Sequence, residues 1–382
     1  MALAARYLPE LEGLRGVAML WVVAFHIDGL INLLTGRPTH GEIVSPWWAL
    51  IRAGGDIGVD MFFVLSSFLL SLPFLQAQGP LSVRRFFAKR ALRILPLYYA
   101  LVVVGAVLSA TRLADLARAL PYFAFLNAVP GLTHPLEPFS NVWWSLVTEW
   151  EFYCVLPLAA TLCRTPIGRR AAWLGLAGWA VAYAAWSAGW FGPHTLEGRF
   201  AVSFSLFGRA PSFLGGALVA WLFLRRGSAS PTSASVGRTL LGDAVIIGLF
   251  LALGRLVGWS LWFGLASQLP PWHAYHLLQS ALCSGVLAVV VLMPTHFAAL
   301  LRHSVLLRLG VLSYSMYMVH MPVVTTGLWQ LHAAGLTQVG QGWNSQGVLA
   351  AALVFTACVV VSQCTYRFVE RPFLVRKETL AG

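Results

Sequence analysis

Charge is what this 382-residue chain has least of: Asp, Glu, Lys and Arg make up 10% of it, whereas 58% is hydrophobic. A soluble domain needs more polar surface than that, and the mean hydropathy of +0.73 exceeds what filling a core requires. A soluble globular fold is therefore excluded. Cysteine is also scarce. The five present (Cys154, Cys163, Cys283, Cys358 and Cys364) form no CxxC pair and sit mostly in apolar runs, so they read as small hydrophobes and not as metal ligands or a disulfide framework. Acidic residues number 14 against 26 Lys and Arg, for a net charge of +12. Such an excess can mark a nucleic-acid binder, but here the basic residues fall in short clusters between apolar runs. Their role there is to set membrane orientation, and a nucleic-acid partner is discarded.

What the chain does have is apolar length and 16 Trp with 23 Phe, the residues that gather at membrane interfaces and between packed helices. Runs near 14–34, 56–77, 91–111, 142–163, 171–191, 200–224, 240–263, 273–294, 305–330 and 347–369 each approach the ~20 residues that cross the hydrocarbon as helix. An all-α integral membrane protein with about ten transmembrane helices is expected. "ALPYFAFLNAVPGL" (119–132) is interrupted by Pro121 and Pro130 and reads as an interfacial or re-entrant piece. Positive residues stay on the cytoplasmic side. Placing both termini there puts the clusters at 84–93, 164–170, 225–238 and 367–377 inside. Arg37, Arg52, Arg112, Arg118 and Arg199 fall outside, with Arg209 and Arg255 within spans. The first run lacks a small-residue cleavage site, so it is expected to remain as a span. "GSASPTSASVG" (227–237) reads as a flexible linker on the cytoplasmic face, and residues 1–382 as a single membrane-embedded domain with no appended soluble one.

Ionisable side chains inside spans are costly and usually face a cavity or a partner. In "LEGLRGVAMLWVVAFH" (11–26), Arg15 and His26 are eleven residues apart. On a helix that is about 20° beyond three full turns and a rise of ~16 Å, so both lie on one stripe. His26 is the side chain best suited to take a proton near neutral pH, although a structural hydrogen-bonder and an ordinary positive-inside anchor explain the pair equally well. Asp60, in "GVDMFFVLSSFLL" (58–70), needs a cation or donors, and structural pairing with a basic residue is its simpler reading. "RRFFAKRALRILPLYY" (84–99) places Arg90 and Arg93 on one face, forked donors of the kind that hold phosphate oxygens. "WWSLVTEWEFY" (143–153) puts Ser145 and Glu149 on one face and Glu151 elsewhere. "LSYSMYMVHMP" (312–322) adds His320.

Together these segments resemble the membrane acyltransferase-3 family. "LEGLRGVAMLWVVAFH" is similar to its Arg/Lys, ten residues, His signature. "GVDMFFVLSSFLL", "KRALRILPLYY" and "WSLVTEWEFY" are similar to its VDxFFVLSGFL, RxxRIxPxY and WSLxxExxFY segments. "LSYSMYMVHMP" and "FVERPF" resemble its closing pair. Ser67 departs from the usual Gly, and Trp150 stands where a second acid is common. The resemblance implies a ten-span O-acyltransferase using cytoplasmic acyl-CoA, commonly acetyl-CoA, with an acceptor hydroxyl often reached from the opposite side. It implies that Arg15, His26, Asp60, Arg90, Arg93, Ser145, Glu149 and His320 line or support the site, with Tyr153 and Trp144 as further substrate or supporting residues. No metal is implied.

On this reading Arg15, Arg90 and Arg93 hold the coenzyme A phosphates and His26 acts as general base or as transient acyl carrier. Glu149 or Asp60 fixes the imidazole tautomer or stabilises its cation. Trp47, Trp48, Trp143 and Trp144 are expected to face outward, as an interfacial belt or to stack on sugar rings. The acceptor is a carbohydrate or glycosylated hydroxyl, or alternatively a macrolide or other small metabolite. A polytopic transporter or flippase is the competing class, because buried Asp, Glu, His and Arg in ten spans also describe a solute pathway. The expected location is a bacterial cytoplasmic (inner) membrane.

Overall fold

The computed structural model describes residues 7–36, 45–77, 82–127, 129, 134–191, 196–226, 235–263, 271–337 and 343–379. The linker expected over 227–237 lies outside them except for its last three residues. Arg37, Pro130 and the side chains of Arg199 and Lys377 lie outside as well. All regular secondary structure among the described residues is helical.

Among the described residues ten long helices follow one another: α1 (Pro9–Thr35), α2 (Gly55–Gln76), α3 (Val83–Ser109), α4 (Trp144–Leu162), α5 (Pro166–Ser187), α6 (Leu206–Arg226), α7 (Val236–Phe263), α8 (Pro271–Leu292), α9 (Ser304–Ala333) and α10 (Ser345–Thr365). Seven of them, all but α4, α5 and α9, are long and apolar enough to cross a membrane. The three exceptions carry two glutamates (α4), a run of Ala, Gly and Trp behind paired arginines (α5), and hydroxyl and imidazole side chains (α9), which lower their hydropathy. The chain is an all-α integral membrane protein. Over the described part of 119–132 there is no spanning helix: a 3₁₀ turn, Leu113–Ala119, leads into the four-residue helix Leu120–Phe123. Several helices start where the sequence supplies a cap. Ser45, Ser82, Thr165 and Asn344 each accept a backbone N–H from the first turn, which satisfies a donor that the helix itself cannot.

Contacts fix the helix directions. Gly55 packs on Phe25 and Gly58 on Ala18 and Val22, so α2 runs antiparallel to α1. Gly16 meets Leu306 and His26 meets His320, so α9 runs parallel to α1. Arg209 bonds Asp56 and Asp60 while Gly216 packs on Val64, which makes α6 parallel to α2. At the end of α10, Gln363 accepts from Arg308, and Glu370, on the wide turn that follows, accepts from Ser315 at 2.8 Å. The start of α1 and the end of α10 therefore lie at one end of the bundle. That end collects Arg15, Arg302 and Arg308.

Lipid offers no hydrophobic drive between helices, so close packing must hold them. Small residues allow it. A Cβ on Gly13 would stand 1.9 Å from the Leu301 carbonyl oxygen, and one on Gly310 1.9 Å from that of Glu12. Ser67, in place of the family's Gly, leaves the α2–α6 approach intact. Gly216 supplies the space, and the Ser67 hydroxyl donates to the Phe213 carbonyl. Two apolar cores flank α1 and α2. One is built on Met19, Val22, Ile31 and Phe63, the other on Leu14, Ala18, Met61 and Phe68.

Candidate active site

A cleft opens among α1, α2, α3, α4 and α9. Arg15 from α1 and Arg90 and Arg93 from α3 line it, with Ser66, Ser145, Glu149, Tyr153, Tyr314 and Tyr317. Val59, Phe62, Phe63, Ile94 and Leu146 form its apolar wall. Arg15 reaches Glu12 at 3.7 Å. Glu149 accepts from the Ser66 hydroxyl, so one carboxylate lies among three guanidinium groups. The Nε of Arg90 is buried and makes no hydrogen bond. Such a donor lacks a partner that an anion would supply. At the other end of the cleft, the Ser145 and Tyr317 hydroxyls are 2.6 Å apart. Both reach the Val142 carbonyl, at 3.2 and 2.7 Å.

One turn beyond Tyr317, two histidines meet. The rings of His26 and His320 are 5.0 Å apart, and the Tyr317 ring is 5.6 Å from that of His320. His26 Nδ1 is 2.8 Å from the Val22 carbonyl oxygen, and His320 Nδ1 is 2.8 Å from that of Tyr317. A carbonyl only accepts, so each Nδ1 carries the proton and each Nε2 keeps its lone pair. The helical stripe from Arg15 to His26 thus runs from the cleft to this pair.

Backbone carbonyls therefore set the tautomer that Glu149 or Asp60 was expected to set. Glu149 is engaged with Ser66, and Asp60 lies in a separate buried centre between α2, α6 and α8. There its carboxylate accepts from Arg209 at 3.1 Å, Ser212 at 3.0 Å and Gln279 at 2.9 Å. Arg209 also reaches Asp56 at 3.0 Å and the His276 ring at 3.1 Å. Glu151 points away from the cleft and accepts the Leu206 N–H at 2.6 Å, at the start of α6.

The tryptophans also differ from expectation. Trp47 and Trp48 are exposed, but Trp143 is 0% exposed, packed between Tyr98 and Tyr122. The 3₁₀ turn Ser140–Val142 carries it inward. Trp144 stacks on Phe204 at 4.2 Å under the Arg209 guanidinium. Neither presents a face to an outer acceptor. Among the described residues no cluster of His, Cys, Asp and Glu could hold a metal ion. The sequence reading missed Ser66, Tyr314 and Tyr317 in the cleft, and Arg209 as the partner of Asp60.

A family profile described as an acyltransferase domain matches residues 8–364. The chain is 24% identical to the peptidoglycan O-acetyltransferase OatA of Listeria monocytogenes, over 96% of this chain and 56% of that protein. It is 26% identical to BcsY of Komagataeibacter xylinus, a candidate membrane-bound transacylase by its name, over 95% and 82%. With a candidate O-acetyltransferase of Staphylococcus aureus the identity is 25%, over 98% and 58%. The chain thus spans a little over half the length of the Listeria and Staphylococcus relatives. No solved structure matches it.

Proposed function

The chain belongs to the acyltransferase family that its motifs resembled, and on that premise we propose that it is a ten-span O-acyltransferase. It moves an acyl group, acetyl in the simplest case, from cytoplasmic acyl-CoA to a hydroxyl of a carbohydrate. Both termini face the cytoplasm of a bacterial inner membrane. The observation that carries this reading is the convergence of Arg15, Arg90 and Arg93 on one cleft that Ser145 and Tyr317 also line, with the His320 ring 5.6 Å from that of Tyr317 just beyond the lining.

Coenzyme A is a polyanion, and three forked guanidinium groups at the basic end of the bundle suit its phosphates. The ~16 Å from Arg15 to His26 is comparable with the reach of a pantetheine arm. The His26 Nε2 lone pair takes the acceptor O–H proton while that oxygen attacks the thioester carbonyl carbon. The Ser145 and Tyr317 hydroxyls line the same cleft and bond each other and the Val142 carbonyl. The C–S bond then breaks, and the coenzyme A thiolate leaves with the proton that His26 held. Names of relatives that end in O-acetyltransferase support acetyl as the group moved.

The test uses the full chain in lipid nanodiscs with acetyl-labelled acetyl-CoA and a panel of polysaccharide, glycolipid and macrolide acceptors. Label on an acceptor with stoichiometric thiol release, absent in His26→Ala, is the expected result. Transport of a solute in sealed vesicles with no thiol release would assign the protein to the carrier class instead.

A further inference from the structure

We infer that His320 is a positioning residue of acyl transfer, sharing with His26 the proton taken from the acceptor; the inference rests on the acyltransferase reading above. It begins from an unusual pairing. His320 is 0% exposed, its Nδ1 is committed to the Tyr317 carbonyl, and its Nε2 is buried with no hydrogen-bond partner. A buried acceptor without a donor is a rarity that needs a reason. Against it lies the His26 ring, 5.0 Å away, whose Nδ1 is likewise held by a backbone carbonyl.

Two imidazoles in the same tautomer thus lie ring against ring, the Nδ1 of each committed to a backbone carbonyl. An imidazolium formed at His26 has a neutral imidazole beside it. The other groups around the pair are already engaged. Asp28, half a turn beyond His26 on α1, accepts from Arg52 at 3.3 Å, Asn32 at 2.8 Å and Trp343 at 2.6 Å. The Tyr317 hydroxyl on α9 bonds Ser145 and the Val142 carbonyl. Glu149 on α4 accepts from Ser66 on α2. Among the described residues these carboxylates each accept from other donors, and the base that lies against the His26 ring is the second histidine.

The proton balance closes. The acceptor O–H proton passes to His26 Nε2 as the C–O bond forms, is shared with His320 Nε2 while the tetrahedral intermediate stands, and leaves on the coenzyme A sulfur as the C–S bond breaks. Neither histidine changes state over the cycle.

His320→Asn separates this role from a structural one. The Asn amide can keep the donor to the Tyr317 carbonyl, and it has nothing in the place of Nε2. In nanodisc-reconstituted full chain, the expected result is a kcat loss of roughly 100-fold, at the low end of what general-base catalysis contributes. KM for acetyl-CoA stays within about twofold, and the acidic limb of the kcat–pH profile moves. An unchanged kcat and pH profile in H320N, with H26A inactive, overturns the inference and leaves the acyltransferase reading standing. An active H26A sinks that reading itself. Should H320N fail to fold, nitrogen-15 histidine NMR of the wild-type chain decides. Two unprotonated Nε2 signals that take up one proton between them support the shared proton. A protonated His320 Nε2 at neutral pH overturns it.

Discussion

Arg209 and Asp60 form an ion pair of 3.1 Å in which both side chains are almost fully sealed, at 2% and 0% exposed. The pair lies apart from the cleft and joins α2 to α6, with Gln279 of α8 completing the carboxylate's shell. Charges so buried are costly to separate. Removing one partner leaves the other without compensation, at about 3–5 kcal/mol. Arg209→Ala strands two carboxylates and is expected to lower the thermal midpoint in detergent more than Asp60→Asn does. Molecules of Asp60→Asn that remain folded should bind acetyl-CoA as the wild type does. A selective loss of binding without loss of stability would place Asp60 in the donor site.

The arginines of the cleft make a different prediction. Charge-assisted hydrogen bonds contribute about 1.5–3 kcal/mol each, so Arg90→Ala or Arg93→Ala should weaken acetyl-CoA binding by roughly 10- to 100-fold. Arg90→Lys should recover only part of this, since an ammonium cannot reproduce the fork. Binding measured by calorimetry should also weaken as salt rises, as it does for a phosphate ligand. Affinity unchanged in both alanine variants would remove the phosphate role.

Packing at the basic end tests whether the site depends on the approach of α1 to α9. A Cβ on Gly310 would fall 1.9 Å from the Glu12 carbonyl oxygen, backbone that cannot turn away. Gly310→Ala must push the helices apart, at a cost of about 1–3 kcal/mol or more for overpacking. Because α1 carries Arg15 and His26 while α9 carries Tyr317 and His320, activity should fall further than stability. Gly29 has open space around it, so Gly29→Ala is the control and should leave both unchanged.

Much of the site was legible because polar residues in apolar runs stand out. Arg15, Arg90, Arg93, Ser145 and Glu149 were read from the sequence, and the fold brings all five to one cleft. The ten long helices fall on the ten apolar runs for the same reason: length and hydropathy are local properties. Partnerships across the chain were not legible. Asp60 demanded a cation, and Arg209 was one of only two arginines inside spans, so composition narrowed the choice without making it. Gln279 and Ser66 gave no signal, since a single amide or hydroxyl is tolerated in any span. The inward turn of Trp143 was missed because an interfacial tryptophan and a buried one look alike in sequence.

The last prediction concerns what His26 does with its lone pair. The same unprotonated Nε2 that can take a proton can also attack the thioester, and an acyl-imidazole would then carry the group to the acceptor. The two routes differ in the absence of acceptor. Direct transfer requires both substrates, so labelled acetyl-CoA alone should leave no label on the protein and give no burst of thiol. A two-step route gives one equivalent of thiol per chain, and the label appears on the peptide containing His26. The neighbouring His320 favours the direct route, because a partner that shares a proton stabilises an imidazolium and adds nothing to an acyl-imidazole. Mass spectrometry of rapidly quenched enzyme is therefore expected to find His26 unmodified, and an acetylated His26 peptide formed at the rate of turnover would establish the two-step route.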